Sequence, residues 1–164
     1  MDTLELIEDK STVTTQVDIT RYLDPQLVCF LDVETRDLVL EQLVDLAHRY
    51  GKLESKEAFF NAIISREEIV TTGIGMGVAI PHAKLPSYDD FFITIAILRH
   101  GVDWKALDSA PVRLIFMIGG PDDKQTEYLQ ILSSLTFALK DEETRKQLLN
   151  ADAANTVVSL LSGK

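Results

Sequence analysis

A chain of 164 residues is enough for one domain, burying roughly two thirds of the surface its unfolded form exposes, and needs no second core. A net charge of -10, from 26 acidic against 16 basic residues with no cluster of lysine and arginine, excludes nonspecific nucleic-acid binding and reads as a solubilising surface. The single Cys29 excludes an internal disulfide and reads as a buried reduced thiol in the apolar run 27–31, while the absence of a membrane-length apolar run or a signal pattern predicts a cytoplasmic protein without membrane insertion.

Residues 1–18 carry five acids and one lysine without sustained periodicity, which predicts a mobile extension ahead of a single domain over 19–164. A short helical turn over 19–23 precedes Pro25, and 27–31 is apolar enough for a first strand. Val39, Leu43, Leu46, Ala47 and Tyr50 recur at helical spacing, with Thr35 placed to cap and Gly51 to stop an amphipathic helix. His48 lies off that stripe and reads as a solvent-facing residue. A second helix is predicted over 55–67 with Phe59, Ala62 and Ile63 inward. Arg66 continues that inward face, and its guanidinium geometry suits phosphate oxygens, although the helix dipole favours an arginine in a last turn in any case.

The most informative stretch is 71–85, Thr-Thr-Gly-Ile-Gly-Met-Gly-Val-Ala-Ile-Pro-His-Ala-Lys-Leu. Gly73, Gly75 and Gly77 permit close backbone approach or unusual dihedrals. The run 78–80 reads as a short strand, Pro81 forbids a helix, and His82 is presented directly after that brake. A neutral imidazole delivered this way is a candidate phosphoryl or acyl acceptor. The spacing excludes a dinucleotide-binding loop, which needs Gly-x-Gly-x-x-Gly opening a helix.

A loop over 85–90 is followed by a nearly continuous β-prone run, 91–98, which His100 and Gly101 are expected to end, with His100 in a structural role. Trp104 reads as a core edge, and 112–118 as another buried strand closed by Gly119, Gly120 and Pro121. Asp122, with Gln125 three positions on, predicts a capping box for a helix reaching about 140 on the stripe Tyr128, Ile131, Leu132, Leu135 and Leu139. Asp141 and Asp152 are candidate caps for two shorter helices, the second carrying Val157, Val158 and Leu161. Helices and buried strands thus interleave, as in an α/β layered fold with a sheet between helices.

The string Gly-x-Gly-x-Gly-x-Ala-Ile-Pro-His-Ala-Lys, 73–84, resembles the active-site segment of fructose/mannitol-type enzyme IIA domains of the bacterial sugar phosphotransferase system, including their nitrogen-regulatory relatives. The resemblance implies an α/β/α sandwich with a small mixed sheet, covering residue 19 to the end, and makes His82 the phosphohistidine. Arg66-Glu67 resembles the family's Arg-Glu ahead of the glycine loop, which places Arg66 near the phosphorylation site. On such a site the backbone of Gly73, Gly75 and Gly77 and the hydroxyl of Thr71 or Thr72 would hold phosphate oxygens. The implied donor is the histidine-containing phosphocarrier protein, and the acceptor is an enzyme IIB domain or, for a regulatory module, a partner protein that senses the phosphorylation state. No metal or cofactor is implied. One departure stands out: many members carry a second histidine in a His-Leu-x-x-Leu pattern, and here that position is Tyr128, in Tyr-Leu-Gln-Ile-Leu. Tyr128 can replace the histidine's hydrogen-bond donor but not its charge. Phosphocarrier and regulatory switch both stay open; the absence of permease and IIB segments leans toward regulation, while a vestigial site is opposed by the intact 73–84 string.

Overall fold

The structure, a computed structural model, describes residues 17–163. The extension expected over 1–18 therefore lies, up to residue 16, outside the described residues. Residues 17 and 18 belong to the folded body: the Val17 amide donates to Ser134 Oγ at 2.8 Å, and Asp18 caps a 3₁₀ turn, Ile19–Tyr22, by accepting from the Thr20 amide.

A second 3₁₀ turn, Pro25–Leu27, leads into strand β1, Val28–Leu31. Helix α1, Arg36–Arg49, starts where the Thr35 hydroxyl accepts the Leu38 amide, and helix α2, Lys56–Ile69, where the Ser55 hydroxyl accepts that of Ala58. Three short strands follow, β2 Gly73–Gly75, β3 Val78–Ala79 and β4 His82–Leu85. The long antiparallel pair β5, Phe92–Val102, and β6, Val112–Pro121, precedes helices α3, Gln125–Lys140, α4, Glu142–Asn150, and α5, Ala154–Leu161.

The strands form one mixed sheet in the order β1-β5-β6-β3-β2, with β4 also paired to β6. β1 runs parallel to β5, and β3 and β4 run parallel to β6. Alternation along β5 sorts the core into two layers. Ile93, Ile95 and Ile97 pack with Ile131, Leu135, Leu148 and Val157 on the α3–α5 side. Phe92, Ala96 and Leu98 pack with Leu40, Leu43, Phe59 and Ile63 on the α1–α2 side. The expected α/β/α sandwich with a small mixed sheet is what forms.

Four local expectations differ. β5 does not end at His100 and Gly101: after a register shift it pairs Val102 with Val112, and Gly101 lies where a Cβ would come within 2.6 Å of Pro111. Helix α3 is not capped by Asp122. Pairing of β4 with Gly119, Gly120 and Pro121 prolongs β6, so the chain turns over 122–124 and the N-cap falls on Lys124, with no side-chain cap. α5 likewise starts at Ala153 without a side-chain cap rather than at Asp152. Cys29 is half-buried rather than buried, and desolvation pushes its thiol up to about 12, so it stays protonated.

Candidate functional site

Proline shapes the site. β3 and β4 are two pieces of one course along β6, separated at Ile80 and Pro81 because a proline offers no amide to the ladder. The Pro81 carbonyl still accepts the Ile118 amide at 2.9 Å, which holds the break against the sheet, and the Ile80 amide donates to the Thr72 carbonyl at 3.0 Å. His82 is thereby registered opposite Ile118, with its side chain on the α3 side, while Ala83 is buried on the opposite face and Lys84 returns to the α3 side.

The His82 ring is half-buried. Its Nδ1 lies 3.3 Å from the Ile80 carbonyl oxygen, which can only accept; this assigns the proton to Nδ1 and leaves the Nε2 lone pair free. Desolvation, the nearby charge of Arg66 and that of Lys84 hold the imidazole down at about 4, against the opposing pull of the Ile80 bond, so the ring is neutral at pH 7. A neutral, orientated imidazole is the nucleophilic form.

Three side chains surround it. The Tyr128 ring on α3 lies 5.3 Å from the His82 ring, centroid to centroid, and 6.3 Å from that of Phe91. Tyr128 is buried, and desolvation pushes its phenol up to about 12, so it is a neutral donor; among the described residues its hydroxyl has no hydrogen-bond partner. The Lys84 ammonium sits 4.1 Å above the Tyr128 ring and donates to Gln125 Oε1 at 2.7 Å. Arg66, at the end of α2, donates through one Nη to the Val70 carbonyl at 2.8 Å, and its charge acts on His82, Lys84 and Tyr128 alike. The structure thus brings together His82, Arg66 and Tyr128.

The threonines and glycines expected to hold phosphate lie on and just ahead of the β2–β3 hairpin. Val78 lies opposite Leu114 and His82 opposite Ile118, so Gly77 and Gly75 are at the far end of the β2–β3 hairpin, more than roughly 13 Å along the strand from the histidine. Gly73 sits at the nearer end, opposite Ala79, and all three glycines have a place in the hairpin. Gly75 and Gly77 take φ of +103° and +76°, and a Cβ on Gly73 would come within 2.8 Å of that of Ala106. The Gly73 amide donates to Thr71 Oγ1, and the amide between Gly75 and Gly77, that of Met76, donates to Asp108. Thr71 Oγ1 itself donates to the Trp104 carbonyl at 2.8 Å. Thr72 Oγ1 donates to Glu67 Oε1 at 2.5 Å.

Glu67 was missed by sequence reasoning. It is buried, and its carboxyl oxygens accept the Thr72 amide at 2.6 Å, the Thr72 hydroxyl and the Trp104 indole N–H at 3.1 Å. This network pins the end of α2, and with it Arg66, to the strand that leads to His82. The signal was present: position 67 follows Ile63 by four residues on the buried stripe of α2. His48 is solvent-exposed, and exposed His100 is 3.9 Å from Asp32, so neither shares this environment. Among the described residues no group of three or more His, Cys, Asp or Glu could hold a metal, and no helix is long and apolar enough to cross a membrane.

Similarity to known proteins points the same way. The sequence profile described as phosphoenolpyruvate-dependent sugar phosphotransferase system, EIIA 2, matches residues 21–164. The chain is 37% identical over 128 residues to the fructose-specific EIIA component of Haloferax volcanii, covering 78% of this chain and 83% of that protein. It is 36% identical over 134 residues to the fructose-specific EIIABC component of Bacillus subtilis, covering 80% of this chain but only 21% of that longer protein. The crystal structure of the nitrogen regulatory protein IIA-Ntr from Neisseria meningitidis superposes with a TM-score of 0.82 at 28% identity, covering 87% of this chain and 98% of that one. With a profile spanning nearly the whole domain, the chain belongs to the phosphotransferase system EIIA 2 family, whose members are phosphohistidine-carrying transferase components.

Proposed function

We propose that His82 is the phosphohistidine of this EIIA component, loaded in the cytoplasm by the histidine-containing phosphocarrier protein and unloaded onto an enzyme IIB domain. The observation that carries this reading is the Nδ1 bond to Ile80, which leaves the Nε2 lone pair free on a ring kept neutral by burial and two cations. In the step, the Nε2 lone pair attacks phosphorus in line, the N–P bond of the donor histidine breaks, and its electron pair returns to that ring. The Nδ1 proton stays on its bond to Ile80. Phosphoryl transfer asks mainly for positioning and for charge on the three equatorial oxygens. Arg66 supplies a fixed cationic fork, and Tyr128 an unengaged phenolic donor. Thr71, Thr72 and the three glycines act one step back, holding the hairpin that carries His82.

A second reading follows from likeness to the nitrogen regulatory protein: His82 would be loaded in the same way, but the phosphoryl group would act as a signal read by a partner protein. The two separate in one experiment. The chain is incubated with labelled phosphorylated phosphocarrier, repurified and mixed with an enzyme IIB domain. Label that moves on marks a carrier, label that stays marks a switch, and a chain that takes up no acid-labile label refutes both.

A further inference from the structure

Lys84 enters the reading above only through the effect of its charge on His82, yet its placement is specific. It follows His82 by two residues on β4, so both side chains face α3. Its ammonium rests on the Tyr128 ring at 4.1 Å, and the same ring lies 5.3 Å from that of His82. Tyr128 is therefore a shared platform with the nucleophile at one side and a cation at the other. Cation–π contact holds an ammonium without neutralising it. Gln125 Oε1 accepts only one of the three ammonium protons, and it is a neutral partner.

Charge balance sharpens the point. On a chain of net charge -10, the Lys and Arg ion pairs among the described residues are Arg36–Asp37 and Lys56–Asp45. Neither Arg66 nor Lys84 is in one of them. The charged and titratable groups felt at Lys84 are Arg66 on α2 and Asp122 ahead of α3, with His82 on its own strand and Tyr128 on α3. Arg66 disfavours the Lys84 charge, and both cations disfavour a proton on His82. Asp122 offsets part of this at Lys84, but two cations outside any ion pair, held near one neutral histidine, still repel each other until an anion arrives. A dianionic phosphoryl group on His82 relieves that repulsion, and it does so most where charge builds on the equatorial oxygens.

We propose that Lys84 is a second cationic ligand of the phosphoryl group on His82, resting on Tyr128 and Gln125 in the empty protein and moving onto a phosphoryl oxygen as the Nε2–P bond forms. It supplies the positive charge that a tyrosine at position 128 cannot. Lys84 stays protonated throughout: it gains a hydrogen bond to oxygen in exchange for the one to Gln125, and no proton changes owner. The proposal rests on the reading of His82 as the phosphoryl acceptor.

The alternative is that Lys84 merely ties β4 to the start of α3 through Gln125. Single-turnover loading with labelled phosphorylated phosphocarrier at saturating concentration separates the two, using Lys84→Met, Lys84→Gln, Lys84→Arg and Gln125→Ala in the full-length chain. As a phosphoryl ligand, Lys84 gives neutral variants whose saturated rate falls roughly tenfold, an arginine variant that recovers part of it, and a Gln125→Ala variant within about twofold of the parent. The proposal is overturned if the neutral variants, shown to be folded by their melting curves, load at the parental rate. It is equally overturned if Gln125→Ala loses as much rate as Lys84→Met, or if only the half-saturating phosphocarrier concentration changes. A parent chain that is not labelled on His82 removes the underlying reading and the proposal together, whereas a labelled parent with an equally fast Lys84→Met removes the proposal alone.

Discussion

The Nδ1 atom of His82 is held 3.3 Å from the carbonyl oxygen of Ile80, two residues upstream across Pro81. The bond selects one tautomer and points the other nitrogen away from the backbone. Because the folded ring titrates near 4 rather than 6.5, the native state binds fewer protons than the unfolded chain between those values. Stability from this group is therefore fully present above about 6.5 and is lost progressively as pH falls through the folded value. Nitrogen-detected NMR should show His82 as a neutral Nδ1–H tautomer from pH 8 down to about 5, and His82→Gln should flatten the fall in melting temperature over that acid range. An imidazolium already formed at pH 6 would contradict both the burial and the tautomer argument.

Arg66 is anchored through the Val70 carbonyl while its charge reaches His82. Arg66→Lys keeps the charge and can keep a backbone bond, but removes the planar fork that matches two phosphoryl oxygens. Loading of His82 should slow roughly tenfold, with the melting temperature unchanged. An unchanged loading rate would reduce Arg66 to a helix-end residue.

The Glu67–Thr72–Trp104 network carries a stability prediction. Glu67→Ala leaves a buried amide and hydroxyl without their acceptor and the indole N–H with only its longer bond to Thr72 Oγ1 at 3.3 Å, at a cost of about 2–4 kcal/mol. Glu67→Gln retains one acceptor oxygen and should cost about half as much. Chemical denaturation measures both. Trp104, the single tryptophan, reports directly, since losing the shorter of its two indole hydrogen bonds should shift its emission even where the chain remains folded. Equal stability of Glu67→Ala and the parent would show that the network is not what pins α2 to the hairpin.

Tyr128 presents two separable contributions, a ring that touches His82 and Lys84 and a hydroxyl without a partner among the described residues. Tyr128→Phe deletes only the hydroxyl. If that hydroxyl donates to the phosphoryl group, loading slows by about tenfold at nearly constant stability, and Tyr128→His, which restores a donor that can also be charged, recovers the rate. Parental rates in Tyr128→Phe would assign the residue to packing alone.

Much of this fold was legible because its signals are local and strong. Thr35 and the stripe from Val39 to Ala47 define α1, and Pro81 marks the break that presents His82. The misread places are those where long-range pairing outranks a local pattern. Asp122 and Gln125 have capping-box spacing, but β4 draws residues 119–121 into the sheet and leaves no room to start α3 at Asp122. Gly73, Gly75 and Gly77 announce a close approach without saying to what, and the partner proves to be the 104–111 segment, far along the chain. Lys84 closes the string 73–84 but gave no sign of a role of its own, since only the docking of α3 places Tyr128 beneath its ammonium.

The central claim is that one nitrogen of one histidine carries the phosphoryl group. The direct measurement is phosphorus–nitrogen correlation NMR on uniformly labelled protein loaded by phosphorylated phosphocarrier. A single phosphoramidate on Nε2 of His82, absent in His82→Ala, is the predicted result. Phosphorus on Nδ1 of His82, on His48 or His100, or on no histidine would contradict it.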